Sequence, residues 1–210
     1  EVRFHPSWHW LMERAVGHGL AAAPWEEQAD GTAHAHVRRA AGFMAWSHTE
    51  PGHGCPISMT YAAVPALRAD DALAKEWTPL LASRRYDPGV RPLTDKVGAL
   101  AGMGMTEKQG GSDVRANVTR AVPVPGADGT YTLHGHKWFT SAPMNDVFLV
   151  LAQAEGGVTC FVVPRVLPDG TRNQLDVVRL KDKLGNRSNA SSELEFDGTV
   201  AQRLGDEGRG

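Results

Sequence analysis

An α+β chain is predicted, with an N-terminal helical domain followed by an antiparallel β-barrel, and three observations carry this. Residue usage changes near Pro88, before which leucine, alanine and tryptophan dominate and β-branched residues are sparse. From about residue 99 short segments alternate apolar and polar side chains with a period of two. Between them stand turn-formers: Pro125-Gly126, Asp128-Gly129, Gly156-Gly157 and Pro168-Asp169-Gly170.

The elements follow in order. Trp8, Leu11, Ala15 and Leu20 fall on roughly one helical face, with Ser7 as the N-cap and Gly19 near the stop. Thr32 is expected to cap a second helix running through Ala40 toward Trp46. A third covers about 58–69 and a fourth 71–84, with kinks expected at Pro65 and Pro79 inside them. Seven strands are expected at 100–106, 114–124, 131–137, 147–152, 158–164, 175–179 and 192–196. Such a set closes into a barrel or stacks as a sandwich. The domains are then 1–98 (helical), 99–198 (barrel) and 199–210, read as the start of a C-terminal helical domain.

Length and charge bound the function. A chain of 210 residues can bury a real core. With 22 basic and 24 acidic residues mixed along it, no basic face points to nucleic acid and no polybasic tail to a membrane surface. No apolar run approaches the ~18 residues of a membrane span. No charged-then-apolar leader opens the chain, and the two cysteines, Cys55 and Cys160, lie far apart. A reducing, cytoplasmic setting is expected.

Residues 103–113 read Met-Gly-Met-Thr-Glu-Lys-Gln-Gly-Gly-Ser-Asp. Gly110 and Gly111 can turn consecutive N–H groups into one concavity, and Ser112 adds a hydroxyl donor, an arrangement that suits a phosphate. An ordinary glycine turn is the plain alternative. Lys108 precedes the glycines, so this is no Walker loop; Glu107 stands where the dinucleotide fingerprint needs its third glycine after Gly102 and Gly104. Residues 131–141 carry Gly-His-Lys-Trp-Phe-Thr-Ser. Residues 181–197 carry Lys-Leu-Gly-Asn-Arg followed by Glu-Leu-Glu-Phe-Asp.

With these three motifs in this order the chain resembles the acyl-CoA dehydrogenase flavoproteins, whose middle domain pairs Thr-Glu-x-x-x-Gly-Ser-Asp with Gly-x-Lys-aromatic-aromatic-x-Thr/Ser. The wording is closer still to the AidB-type branch, tied to the adaptive response to alkylation and related to isovaleryl-CoA dehydrogenase. The resemblance covers nearly the whole chain. It implies the same helix-then-barrel fold, a further C-terminal helical domain beyond this chain, and FAD as cofactor. Thr106 and Ser141 match hydroxyl positions beside the flavin ring. Phe139 matches the flavin-side aromatic, where the family usually carries tryptophan. Gly111 and Ser112 would serve the pyrophosphate, and the backbone of Met103, Gly104, Met105 and Thr140 the remaining contacts. Adjacent strand residues point apart, so Trp138 is expected in the core and Phe139 on the flavin. Met103 and Met105 can equally be core filler.

No catalytic residue is assigned. Glu107 belongs, by the resemblance, to the fold of its loop, and the family's base comes from the C-terminal domain. Asp113 reads as a turn or cap residue. His34, His36, His48 and His53 with Cys55 match no zinc spacing, so no metal is expected. Cys55 opens a helix like the one bordering the family's acyl channel and reads as packing. Lys181, Lys183 and Arg187 form a solvated basic cluster or support the loop beside the flavin, with Arg187 at a family position.

Two functions stand. One is FAD-dependent α,β-dehydrogenation of a short or branched acyl-CoA. The other is a flavin-containing DNA-binding protein that protects against alkylation, its DNA contact lying in the C-terminal region. The resemblance implies an acyl-CoA partner and a homotetramer, and no membrane partner is expected.

Overall fold

The computed structural model describes residues 2–210. Five helices come first. α1 (Pro6–Gly17) opens on a proline, and the His5 ring accepts from the Ser7 N–H at 3.2 Å. Ser7 is therefore inside the helix and His5 is its cap, because a proline at the first helical position fixes the start there. The seven-residue α2 (Ala23–Ala29), unforeseen from the pattern, also starts on a proline-containing turn. α3 (Ala35–Ser47) begins after His34, whose left-handed backbone (φ 57°) sets the entry, so Thr32 does not cap it. α4 (Gly54–Leu67) and α5 (Asp71–Leu81) run through Pro65 and Pro79. Asp70 caps α5, its carboxylate accepting from the N–H groups of Ala72 and Leu73 at 2.9 and 3.0 Å.

Seven strands follow: β1 (Ala101–Gly104), β2 (Arg120–Pro123), β3 (Thr130–Ser141), β4 (Val147–Ala154), β5 (Gly157–Pro164), β6 (Asp176–Leu180) and β7 (Ser191–Leu204). The ring β4–β2–β3–β7–β5 closes through β4–β5, giving the expected barrel. One departure is that β1 lies parallel to β4, from Ala101 opposite Val147 to Gly104 opposite Val150. The β2–β3 hairpin intervenes between them, and a long crossover of that kind allows parallel pairing.

The expected strand at 114–124 is shorter. Val114–Ala116 form a 3-10 turn, and the N–H groups of Val118 and Thr119 go to the Glu107 carboxylate instead of a ladder. The last strand is longer. β7 runs to Leu204, so 199–204 is barrel wall and the expected boundary at 198 is displaced. Gly198 (φ 79°) is an extra residue between the pairs Leu133–Thr199 and His134–Asp197, a bulge that lets the strand continue.

β4 is buried on both faces, and its alternation divides the core. Val147 and Leu149 face α4 and α5, packing with Val64, Leu67, Trp77 and Leu81. Phe148 and Val150 face the barrel interior with Leu133, Phe161, Val163, Leu194 and Phe196. A third cluster joins Trp8, Met12 and Ile57 to Leu100. Thr60 of α4 accepts from the Ala101 N–H at 2.9 Å, fixing β1 against the helices.

Candidate functional site

The site is assembled where β1 leaves the barrel beside the C-terminal half of β3. Gly104 permits the approach: a Cβ there would lie 3.2 Å from Lys137 Cγ and 3.4 Å from Thr140 Oγ1. Beyond it, the Trp138 N–H donates to the Thr106 carbonyl at 2.8 Å. The chain then turns at Gly110 (φ 117°), whose N–H donates to the Glu107 carbonyl at 3.0 Å. Gly111 comes back against Thr106, since a Cβ there would sit 2.9 Å from Thr106 Oγ1. Gly111 and Ser112 are exposed at the rim.

Glu107 is fully enclosed. Its carboxylate accepts from Lys137 Nζ at 2.6 Å, Val118 N–H at 2.7 Å and Thr119 N–H at 3.1 Å. Burial alone would push the carboxyl pKa up, but Lys137 and the donors at Thr119 and Val118 outweigh it and hold it below the ordinary carboxylate value. A carboxylate so committed is a structural anchor. Lys137 is equally buried, so the pair welds the glycine loop to β3. Asn117 reinforces the loop by donating to the Met105 carbonyl at 2.9 Å.

The opposite-sides expectation for Trp138 and Phe139 is overturned. Lys137 pairs with Leu194 and Thr140 with Ser192, so two β3 residues face the single Glu193. In this bulge neither ring enters the core. Lys181 Nζ lies 3.2 Å from the Trp138 ring centre and 4.6 Å from that of Phe139, and donates to Glu193 at 2.6 Å. The inward side chain is Lys137. Phe139 is left 48% exposed and Met105 43%. Met103 instead packs on the helix–barrel core.

Thr140 is buried, and its Oγ1 has no partner; its carbonyl accepts from Ser192 Oγ at 2.8 Å. Ser141 Oγ accepts from Asn189 Nδ2 at 3.1 Å. The loop that brings Asn189 is tied down by Lys183, which donates to the Asn189 carbonyl at 2.7 Å and Ser191 Oγ at 3.0 Å. Arg187 donates to the Lys183 carbonyl at 3.0 Å, and Ser188 reaches Glu50 of the helical domain at 2.7 Å. These contacts fit the loop-supporting reading of the basic cluster. Asn189 had no sequence signal beyond its place in the third motif.

Other candidates lie apart. Asp113 precedes the 3-10 turn without a side-chain cap bond. His53 is buried, accepting from Trp46 Nε1 beside Glu50, and His36 meets the Tyr61 hydroxyl at 2.7 Å. Among the described residues no three His, Cys, Asp or Glu side chains converge as for a metal ion. Both cysteines are free and half-buried, and burial pushes the Cys160 thiol up to about 11.

Thus Gly104, Thr106, Gly111, Phe139, Thr140 and Ser141 gather along the ends of β1 and β3, with Met105 and Ser112 on the same loop. The assembly offers a half-exposed aromatic ring, hydroxyls and a glycine turn. Residues 1–88 match the adaptive response protein AidB N-terminal domain, and residues 102–199 the acyl-CoA dehydrogenase middle domain. The chain belongs to the acyl-CoA dehydrogenase family. It is 53% identical to the putative acyl-CoA dehydrogenase AidB of Escherichia coli K12 over 100% of this chain and 38% of that one. Identity is 34% to acyl-CoA dehydrogenase family member 11 of Caenorhabditis elegans, over 97% of this chain and 34% of the relative. The crystal structure of C. elegans ACDH-11 in complex with C11-CoA superposes with a TM-score of 0.85 at 31% identity, covering 100% of this chain and 36% of that one. The chain thus spans little more than a third of these relatives' lengths. No described helix is long and apolar enough to cross a membrane.

Proposed function

We propose that the crevice at the ends of β1 and β3 holds the isoalloxazine of FAD, and that the full-length protein dehydrogenates a short or branched acyl-CoA between its α and β carbons. The family's cofactor, when bound, supplies the hydride acceptor. Phe139 forms the apolar wall, Thr106 and Ser141 the hydroxyls at the ring, and Gly111 with Ser112 the donors for the pyrophosphate. The backbone of Met103, Gly104, Met105 and Thr140 completes the cradle. The observation that carries this reading is the exposed Phe139 ring, set by the bulge next to Thr140 and Ser141 on β3, where the neighbouring Trp138 N–H bonds the Thr106 carbonyl.

The residues fit such a group. Thr140 Oγ1 is a buried hydroxyl without a partner, and the Phe139 ring, approached by Lys181, remains half exposed. Glu107 is committed to Lys137 and is not free to act as a base; the resemblance to the family implies that a carboxylate of the C-terminal helical domain removes the α-proton. The test is anaerobic addition of isovaleryl-CoA and other thioesters to the full-length protein. Bleaching of the flavin band is expected, and no bleaching with any thioester overturns the proposal. This chain alone, lacking those helices, is expected to lose FAD on desalting.

The match of residues 1–88 to the AidB N-terminal domain favours a second reading, protection against DNA alkylation by a cytoplasmic homotetramer with weak dehydrogenase activity. Salt-dependent duplex binding by the full-length protein, absent from this chain, separates it from the first.

A further inference from the structure

A cavity of about 620 Å³ opens in the helical domain, lined by residues between His18 and Trp46 and by Arg84. No barrel strand contributes, so it is separate from the β1–β3 crevice. Its volume is that of a small-molecule site. Three guanidinium groups, Arg38, Arg39 and Arg84, stand against one carboxylate, Glu27.

These arginines are set in place by the backbone. Arg84 donates to the Gly17 carbonyl at 3.2 Å and to Glu27. Its guanidinium lies flat on Gly19, where a Cβ would come 2.9 Å from Cζ. Arg38 donates to Glu27 Oε2 at 3.1 Å. Arg39 donates to the Leu20 carbonyl at 2.9 Å and sits 4.1 Å from the Tyr61 ring centre and 4.7 Å from that of Phe43. One of its NH₂ groups is buried without an acceptor, and burial lowers its pKa. The cavity therefore carries positive charge that the protein leaves uncompensated, beside an apolar wall of Leu20 and Trp46.

We propose that this cavity binds a small amphipathic carboxylate, its head among Arg38, Arg39 and Arg84 and its hydrocarbon against Leu20 and Trp46. Against the excess of two positive charges a monoanion lowers the imbalance with the least repulsion from Glu27, and planar guanidinium forks match a planar carboxylate. A phosphate dianion would meet Glu27 with twice the charge.

Calorimetric titration of the full-length protein with octanoate tests this, with octanol and inorganic phosphate as controls and flavin absorbance recorded in parallel. One saturable octanoate event is expected that leaves the flavin absorbance unshifted, with none from either control. Arg84→Gln and Arg38→Gln, both at exposed side chains, should each weaken it roughly tenfold, the size of a lost charge-assisted hydrogen bond. Phe139→Ala should leave it unchanged. Absence of the event, a flavin shift accompanying it, or undiminished affinity in Arg84→Gln overturns the site. The titration can be read with or without bound flavin, so it fails independently of the proposed cofactor site.

Discussion

In the barrel, Glu107 and Lys137 are shut away from solvent and every partner of the carboxylate is fixed. In the helical layer, Glu27 meets Arg38 and Arg84 at the surface, where both guanidinium groups remain more than half exposed. The chemistry is the same and the surroundings differ. An enclosed pair cannot exchange partners with water, so it pins one geometry; an exposed pair is screened and exchangeable. The enclosed one lies where the loop and β3 must keep register, and the exposed one lines an open cavity.

The largest effect expected is from Lys137→Met, which leaves Glu107 buried and unpaired and should cost about 3–5 kcal/mol by urea denaturation. Adding Glu107→Gln, which removes the charge but keeps an acceptor for the Val118 and Thr119 N–H groups, should restore part of that loss. A loss no larger than that of Arg84→Gln would erase the contrast. The same pair has a signature in pH. The folded-state pKa of Glu107 lies below its unfolded value of about 4.3, so its stabilisation is full above that value and is lost as pH falls through the folded pKa. Glu107→Gln should flatten that part of the stability curve.

Next comes Gly102→Ala, whose Cβ would stand 2.5 Å from Phe148 Cδ1 in the barrel interior. Overpacking of about 1–3 kcal/mol is expected. Arg84→Gln should cost under about 1 kcal/mol, in keeping with an exposed pair. Smallest in stability is Phe139→Ala, within about 0.5 kcal/mol because the ring is half exposed. Flavin retention by the full-length protein should nevertheless drop, and unaltered retention would remove Phe139 from the proposed wall.

The contrast also shows what the sequence could reveal. α4 and α5 were legible because stretches rich in leucine, alanine and tryptophan with few β-branched residues favour helix locally. α2 was not, being seven residues long without a side-chain cap. The closed ring followed from alternation and turn residues, whereas the parallel β1–β4 pair depends on which strands meet, which alternation does not encode. The glycine loop and its neighbours on β3 were legible through three motifs. The bulge at Trp138 and Phe139 was not, because it arises from a register shift against β7, and so Lys181 between the two rings went unforeseen. Glu107 was placed in the fold by resemblance; its partner Lys137 lay inside a motif but gave no sign of pointing inward.

β7 touches three neighbours, lying along β3 on one edge and against β6 and β5 on the other. During synthesis, a nascent chain that has emerged only as far as Pro164 has α4, α5 and β1 to β5 available but no strand to close them. The edges of β3 and β5 then wait with open hydrogen-bonding groups until residues 191–204 leave the ribosome. A stall or premature stop in that window would expose a sticky, half-made wall, and that species is the one a chaperone would have to shield.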